Sequence, residues 1–242
     1  MPLGKEDREL LLEGLSALLS CERSQGQNAS LAGGAAPPVQ ADRTFISEKA
    51  DLLSRFIDEL LLWNAKTNLT GTAAARDIII RHIFDSLSVY HLLKGSNASI
   101  LDIGAGAGFP SVPIALVDDA LRITAVERRR KRADFLRNAA LLLRLDNLTV
   151  IQMDVRDIRG VYDVVLARGV GELSTVYGLA RKKLKEQAMI IAFKGKITEI
   201  EKEISRLRQK TADARGMGLS IQKVKVPFLD EEERNIVIIE MK

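Results

Sequence analysis

The sequence predicts an α/β fold: a doubly wound, mostly parallel, seven-stranded Rossmann-like sheet with helices on both faces and an N-terminal helical extension. Three observations predict it. From Ser99 onward, short apolar strand patterns alternate with helical ones, as in a chain of βαβ units. A glycine turn follows the first of these strands and runs into a helix start. Charged residues, namely Asp102, Glu127, Asp154, Arg168 and Lys194, fall at or just past successive strand ends, the edge where such sheets bind ligands.

In chain order, Glu6 to Leu19 is a leucine-rich helical pattern with Leu11, Leu15, Leu18 and Leu19 on one face. Ser20 to Gln40 turns to Ser, Gln, Asn, Gly, Ala and Pro and reads as a flexible linker. Phe45 to Trp63 is a second amphipathic helix. Trp63, the sole tryptophan, reads first as a packing residue and only second as a base-stacking one. Asn64 to Thr72 is a polar loop. Asp77 to Leu93 is a third helix with Asp77 as its N-cap. Its Arg81, His82, Asp85 and Ser86 fit either an intrahelical ion pair or a face lining a site. Strands are expected at 99–103, 122–127, 149–153, 162–167, 188–194, 220–226 and 235–240. Helices are expected at 130–145, 173–184 and 197–215. The last two strands form an antiparallel edge. The organisation is therefore an N-terminal helix and linker (1–40), a helical extension packed on the core (41–96) and the α/β domain (97–242).

The first of these strands ends in Asp102-Ile103-Gly104-Ala105-Gly106-Ala107-Gly108-Phe109-Pro110. Glycines let backbone approach a ligand closely, and Pro110 and Pro113 suit the first turn of a helix. A dinucleotide site has the spacing G-x-G-x-x-G, with pyrophosphate at the helix N-terminus. The spacing here is G-x-G-x-G, with an acid two residues before the first glycine. A carboxylate there repels pyrophosphate and suits an ammonium. Asp102, Gly104, Gly106 and Gly108 thus resemble the first motif of class I S-adenosylmethionine-dependent methyltransferases, whose cofactor carries an ammonium, a carboxylate and a sulfonium but no phosphate. Glu127 ends the next strand about 20 residues on, where ribose-binding acids stand in such folds. Its two oxygens match two ribose hydroxyls.

A more specific resemblance covers the chain from about Phe45 onward. Trp63-Asn64 with Asn68-Leu69-Thr70, then Arg81-His82-Ile83-Phe84-Asp85-Ser86-Leu87, the glycine stretch, Arg168 and Lys194-Gly195 are similar, in order, to the RsmG (GidB) family. These are bacterial methyltransferases of small-subunit rRNA that use S-adenosylmethionine to methylate guanine N7 in 16S rRNA. The resemblance implies cofactor contacts at Gly104, Phe109, Val155, Arg156 and Arg168, with Val155-Arg156 cradling the adenine. The sequence departs from the family in three places. Arg156 stands where an acid is usual and Asp154 where an arginine is frequent, so Asp154 is expected to take the adenine contact. Gly169-Val170 follow Arg168 in place of Ala and an aromatic. The Ser20 to Gln40 segment is longer than usual.

Guanine N7 carries a free lone pair, so methylation there needs positioning rather than deprotonation. No catalytic acid or base is assigned. RNA is to be held by charge: Arg128, Arg129 and Arg130 begin the densest basic run, read either as a phosphate contact or as a solvated turn. Lys194 is the further candidate for touching substrate. Lysine and arginine total 36 against 32 acids, a net charge of +4, which permits an RNA partner without demanding one. One cysteine and two histidines exclude an internal disulfide and disfavour a structural zinc site or other metal. No apolar run reaches a membrane span, and the acidic N-terminus is unlike a secretory signal. A cytoplasmic monomer acting on 16S rRNA or the small ribosomal subunit is expected. The glycine spacing and Asp102 disfavour a nicotinamide-dependent oxidoreductase. A methyltransferase for another RNA or a small molecule, and a non-catalytic S-adenosylmethionine-binding module on ribosomes, share the cofactor site and stand as alternatives.

Overall fold

The computed structural model describes residues 3–20, 42–211 and 217–241. Its sheet has seven strands in the order β3-β2-β1-β4-β5-β7-β6. These are β1 (Ser99–Ile103), β2 (Arg122–Val126), β3 (Leu148–Ile151), β4 (Tyr162–Arg168), β5 (Leu184–Lys194), β6 (Gly218–Lys223) and β7 (Asn235–Glu240). The first five run parallel, and β7 pairs antiparallel with both β5 and β6. The expected antiparallel edge forms, but β7 inserts beside β5 and leaves β6 outermost. The order reverses between β1 and β4, which places a crevice at their carboxyl ends.

Alternation along each strand sorts the core into two layers. Ile100, Val164, Leu166, Ile191 and Ile238 face one side, while Leu101, Ile103, Val165, Ile190 and Val237 face the other. The first layer is covered by α1 (Lys5–Leu19), α2 (Arg43–Thr67), α6 (Ser111–Val117) and α7 (Arg130–Leu143). The second is covered by α8 (Leu173–Ala180) and α9 (Ile197–Lys210). Helix α2 starts where the Asp42 carboxylate accepts from the Thr44 N–H and stops at Asn68, whose φ of 47° is left-handed. The packing reading of Trp63 holds: its ring meets Phe135 edge-on at 5.7 Å, and its Nε1 donates to Glu59 at 2.7 Å.

The single helix expected from Asp77 is instead a broken run. It comprises α3 (Ala75–Ile78), a π turn (Ile79–Phe84), α4 (Asp85–Leu87) and α5 (Tyr90–Leu93). The Ser86 and Ser88 hydroxyls donate back to the carbonyls of His82 and Asp85, competing with the regular ladder. Asp77 is not the cap: the run starts at Ala75, and Asp77 accepts from the Thr72 hydroxyl at 3.1 Å. Helix α8 ends early because the chain turns through Arg181–Lys183, where the buried Lys183 ammonium donates to the Ile158 carbonyl. The linker expected at 20–40 lies, beyond Ser20, outside the described residues, as does the end of the helix expected to reach 215.

Gly14 of α1 lies against the fully buried Phe84 ring. A Cβ there would stand 2.1 Å from the ring. Helix propensity favours alanine over glycine by about 1 kcal/mol, yet overpacking a filled core costs about 1–3 kcal/mol. Gly14→Ala is therefore expected to destabilise by about 2 kcal/mol in urea unfolding. A more stable variant would show that α1 is not clamped on Phe84.

Candidate active site

The turn after β1 is pinned to the end of β2. The N–H groups of Gly104 and Ala105 both donate to the Val126 carbonyl, at 2.9 and 3.1 Å. Gly104 and Gly106 take φ of 75° and 58°, a region where side chains are strained. At Gly104 a Cβ would meet only Val170, at 3.6 Å, so the backbone there is bare and approachable. Gly108 serves a different end. Its Cβ would stand 2.7 Å from Val112 and 3.1 Å from Leu136, so glycine lets the turn pack on α6 and α7. Phe109 is buried, edge-on to Phe56 at 5.6 Å.

Glu127 is buried beside this turn. Its Oε2 accepts from the Gly106 N–H at 3.1 Å and its Oε1 from the Arg129 N–H at 2.7 Å. Each oxygen retains a lone pair, so two hydroxyl donors can still be accepted. Asp102 behaves differently from the expectation of a direct ammonium contact. It is 1% exposed and accepts from the hydroxyl and backbone N–H of Ser111, fixing the start of α6. It shapes the turn from beneath. Burial pushes its carboxyl up to about 6 against the pull of Ser111 and Arg168, and Glu127 adds to the rise.

A raised folded-state pKa means that the folded chain binds this proton more tightly than the unfolded chain. The buried carboxylate therefore costs stability above pH 6, and the cost fades as pH falls towards 4. Asp102→Asn keeps an acceptor for Ser111 without the charge. The variant is expected to gain about 3 kcal/mol on the wild type at pH 7.5 and little at pH 4. Urea unfolding at both pH values checks this, and a gap independent of pH would refute it.

Arg168, at the end of β4, ties the crevice to the broken helical run. Its Nε donates to Asp85 Oδ2 at 2.8 Å, and its Nη2 to the Arg81 carbonyl at 2.6 Å and to His82 Nδ1 at 3.0 Å. Arg234 Nε stands 3.5 Å from Asp85 Oδ1 and donates through Nη2 to Glu232. Arg81 pairs with Glu232 and Asp77, not with Asp85. The expected Arg81–Asp85 pair therefore does not form: Arg81 pairs one turn earlier, with Asp77, and Asp85 reaches across to Arg168. The His82 ring stacks on Phe109 at 5.0 Å. Burial and the Arg168 charge lower its pKa to about 4, with Asp77 opposing.

Asp154 and Arg156 close on each other. Arg156 Nε donates to Oδ1 at 2.9 Å and Nη2 to Oδ2 at 2.8 Å, which holds the Asp154 carboxyl well below the usual range. Val155 between them is half-buried. Arg128, Arg129 and Arg130 are exposed just beyond Glu127, with Arg130 3.6 Å from Asp134. Lys194 is a correction. Its side chain is only 12% exposed, and Nζ donates to Glu203 at 2.6 Å and to the Gly171 carbonyl at 2.7 Å. The charge is neutralised inside the fold, and Lys194 braces the start of α8 instead of facing substrate. Sequence reasoning missed Ser111, Glu203, Arg234 and Glu232. Ser111, nine residues after Asp102, offered a local signal as a hydroxyl at a helix start, and the others offered none.

The crevice therefore combines bare backbone, the Glu127 carboxylate with lone pairs to spare and one arginine whose charge Asp85 answers. That arrangement accepts hydroxyl donors and positive charge and is unsuited to pyrophosphate. A family model described as "GidB: rRNA small subunit methyltransferase G" matches residues 49–237. A Treponema pallidum protein named ribosomal RNA small subunit methyltransferase G is 36% identical over 220 residues, covering 88% of this chain and 94% of its own. A Bacillus subtilis protein of the same name is 31% identical over 191 residues, covering 76% and 79%. Among solved structures, an O-methyltransferase from Bacillus cereus in complex with SAH superposes with a TM-score of 0.53 at 16% identity, covering 77% of this chain and 90% of its own. At that identity the likeness concerns the fold.

Proposed function

The chain belongs to the rRNA small subunit methyltransferase G family, and from that premise we propose that it transfers a methyl group from S-adenosylmethionine to guanine N7 in 16S rRNA. The observation that carries the cofactor is the meeting of the bare Gly104–Gly106 turn with the Glu127 carboxylate. A cationic, phosphate-free nucleoside fits there. The cofactor supplies a methyl group activated on a sulfonium.

The chain's own residues bind and orient. Glu127 accepts the ribose hydroxyls while holding the Gly106 amide. Gly104 and Gly106 let the amino-acid end lie against backbone, and Asp102 steadies that turn through Ser111. The Asp154–Arg156 pair and the Val155 backbone flank the adenine, and Phe109 with Arg168 borders the transfer point. With the cofactor bound, the N7 lone pair would take the methyl carbon and the bonding pair released would remain on sulfur. No proton moves, so neither a general acid nor a general base is needed. Arg128, Arg129 and Arg130 contact RNA phosphates beside the cofactor.

The decisive experiment uses labelled methyl donor and small subunits from cells lacking this protein. Label is expected as 7-methylguanine at one rRNA position. Cofactor binding without labelling of RNA would refute the rRNA assignment. It would leave a small-molecule methyltransferase or a non-catalytic ribosome-bound module.

A further inference from the structure

We infer that His82 orients the target base: its Nε2–H donates a hydrogen bond to O6 of the guanine whose N7 is methylated. The inference rests on the proposed guanine-N7 activity. Four observations support it.

First, the tautomer is determined. Arginine offers only donors, so the 3.0 Å contact from Arg168 Nη2 makes His82 Nδ1 an acceptor. The proton of the neutral ring is then on Nε2. Second, the ring is held at two points, the Nδ1 contact and the stack on Phe109 at 5.0 Å and 24°. The Nε2–H direction is therefore fixed before substrate arrives. Third, that ring is half-buried at the carboxyl ends of β1 and β4, and among the described residues no hydrogen-bond partner stands at Nε2. Fourth, the ring is uncharged at neutral pH because burial and Arg168 disfavour its protonation.

The chemistry of the guanine edge selects this kind of donor. N7 and O6 are adjacent acceptors, and an arginine usually takes both. An arginine fork would occupy the lone pair that must attack. One donor on O6 fixes the ring while leaving N7 free. A cation there would repel the sulfonium and oppose the positive charge that the guanine ring acquires. A neutral imidazole does neither. Arg168 is the poorer donor: its Nε and Nη2 are committed to Asp85, the Arg81 carbonyl and His82 itself, and a bond from its remaining Nη1 would bring a guanidinium charge to O6. Adenine presents an amino donor where guanine has O6, so the same Nε2–H disfavours adenine.

The test compares His82→Phe, which keeps an aromatic stack without a donor, with His82→Gln, whose amide N–H reaches the Nε2 position. Cofactor affinity is read by calorimetry and methyl transfer by single turnover on small subunits. A second arm places 2-aminopurine, which has N7 but lacks O6, at the target position of reconstituted subunits. His82→Phe is expected to bind cofactor within about threefold of wild type and to transfer methyl about a hundredfold more slowly. His82→Gln is expected to recover about tenfold of that loss. Wild type is expected to slow on 2-aminopurine, and His82→Phe to lose no more on 2-aminopurine than on guanine, the signature of one shared interaction. The inference is overturned by unimpaired transfer in His82→Phe or by an equal loss of cofactor affinity. Full-rate methylation of 2-aminopurine by wild type overturns it without any variant having to fold. If wild-type protein labels no guanine, the underlying activity itself falls, a result distinct from all of these, and the inference falls with it.

Discussion

Arg168→Ala is expected to abolish methyl transfer and to cost about 3 kcal/mol of folding stability, because it leaves a buried carboxylate without its partner. Asp85 is 5% exposed and receives its closest charged bond, 2.8 Å, from Arg168. Arg234 remains at 3.5 Å, also engaged by Glu232, and only partly offsets the loss. The two effects are separable. Asp85→Asn in the Arg168→Ala background removes the stranded charge and is expected to restore much of the stability. It is not expected to restore activity, since the tether from β4 to the Arg81 carbonyl and His82 is still missing. Urea unfolding and single-turnover transfer on the two variants check this. Parallel recovery of both would mean that Arg168 matters only for folding.

The second large effect is expected at Gly104. Gly104→Val is expected to lower cofactor affinity beyond detection, at least about a hundredfold. A valine at φ 75° is strained, and its methyls project beyond a Cβ that already stands 3.6 Å from Val170. Gly104→Ala separates the two causes. Its Cβ makes an ordinary contact, so it bears the left-handed strain, about 1 kcal/mol, without the bulk. Calorimetry is expected to rank glycine above alanine and alanine far above valine. Unchanged affinity in the valine variant would remove the turn from the cofactor site.

The features readable in the sequence were local. Strand alternation gives the two layers on either side of β1 and β4, and the Asp102–Gly108 spacing marks the turn. The position of Glu127 one βαβ unit later follows from chain order. What escaped depended on distance along the chain. Lys194 stands at a strand end, as expected, but the fate of its charge depends on Glu203, carried on the following helix. Whether Asp85 pairs along its own helix or across the crevice depends on Arg168 and Arg234. Asp154 and Arg156 are an exception, since a carboxylate and a guanidinium two residues apart in a turn close on each other locally. Asp102 shows a subtler limit. The motif identifies an acid, and only the fold reveals that Ser111 consumes it from below.

The insertion of β7 between β5 and β6 sets an order of events during synthesis. A chain emerges from its N-terminal end, so β5 and β6 leave the exit tunnel before the strand that joins them. Arg234, the second partner of Asp85, immediately precedes that strand. Until Asn235–Glu240 is in place, β5 presents an open apolar edge, and the carboxylate behind the crevice has one arginine rather than two. A nascent chain halted near Leu229 would therefore carry the whole glycine turn and Glu127 yet lack a finished sheet. Such an intermediate would need protection from aggregation until translation supplies β7.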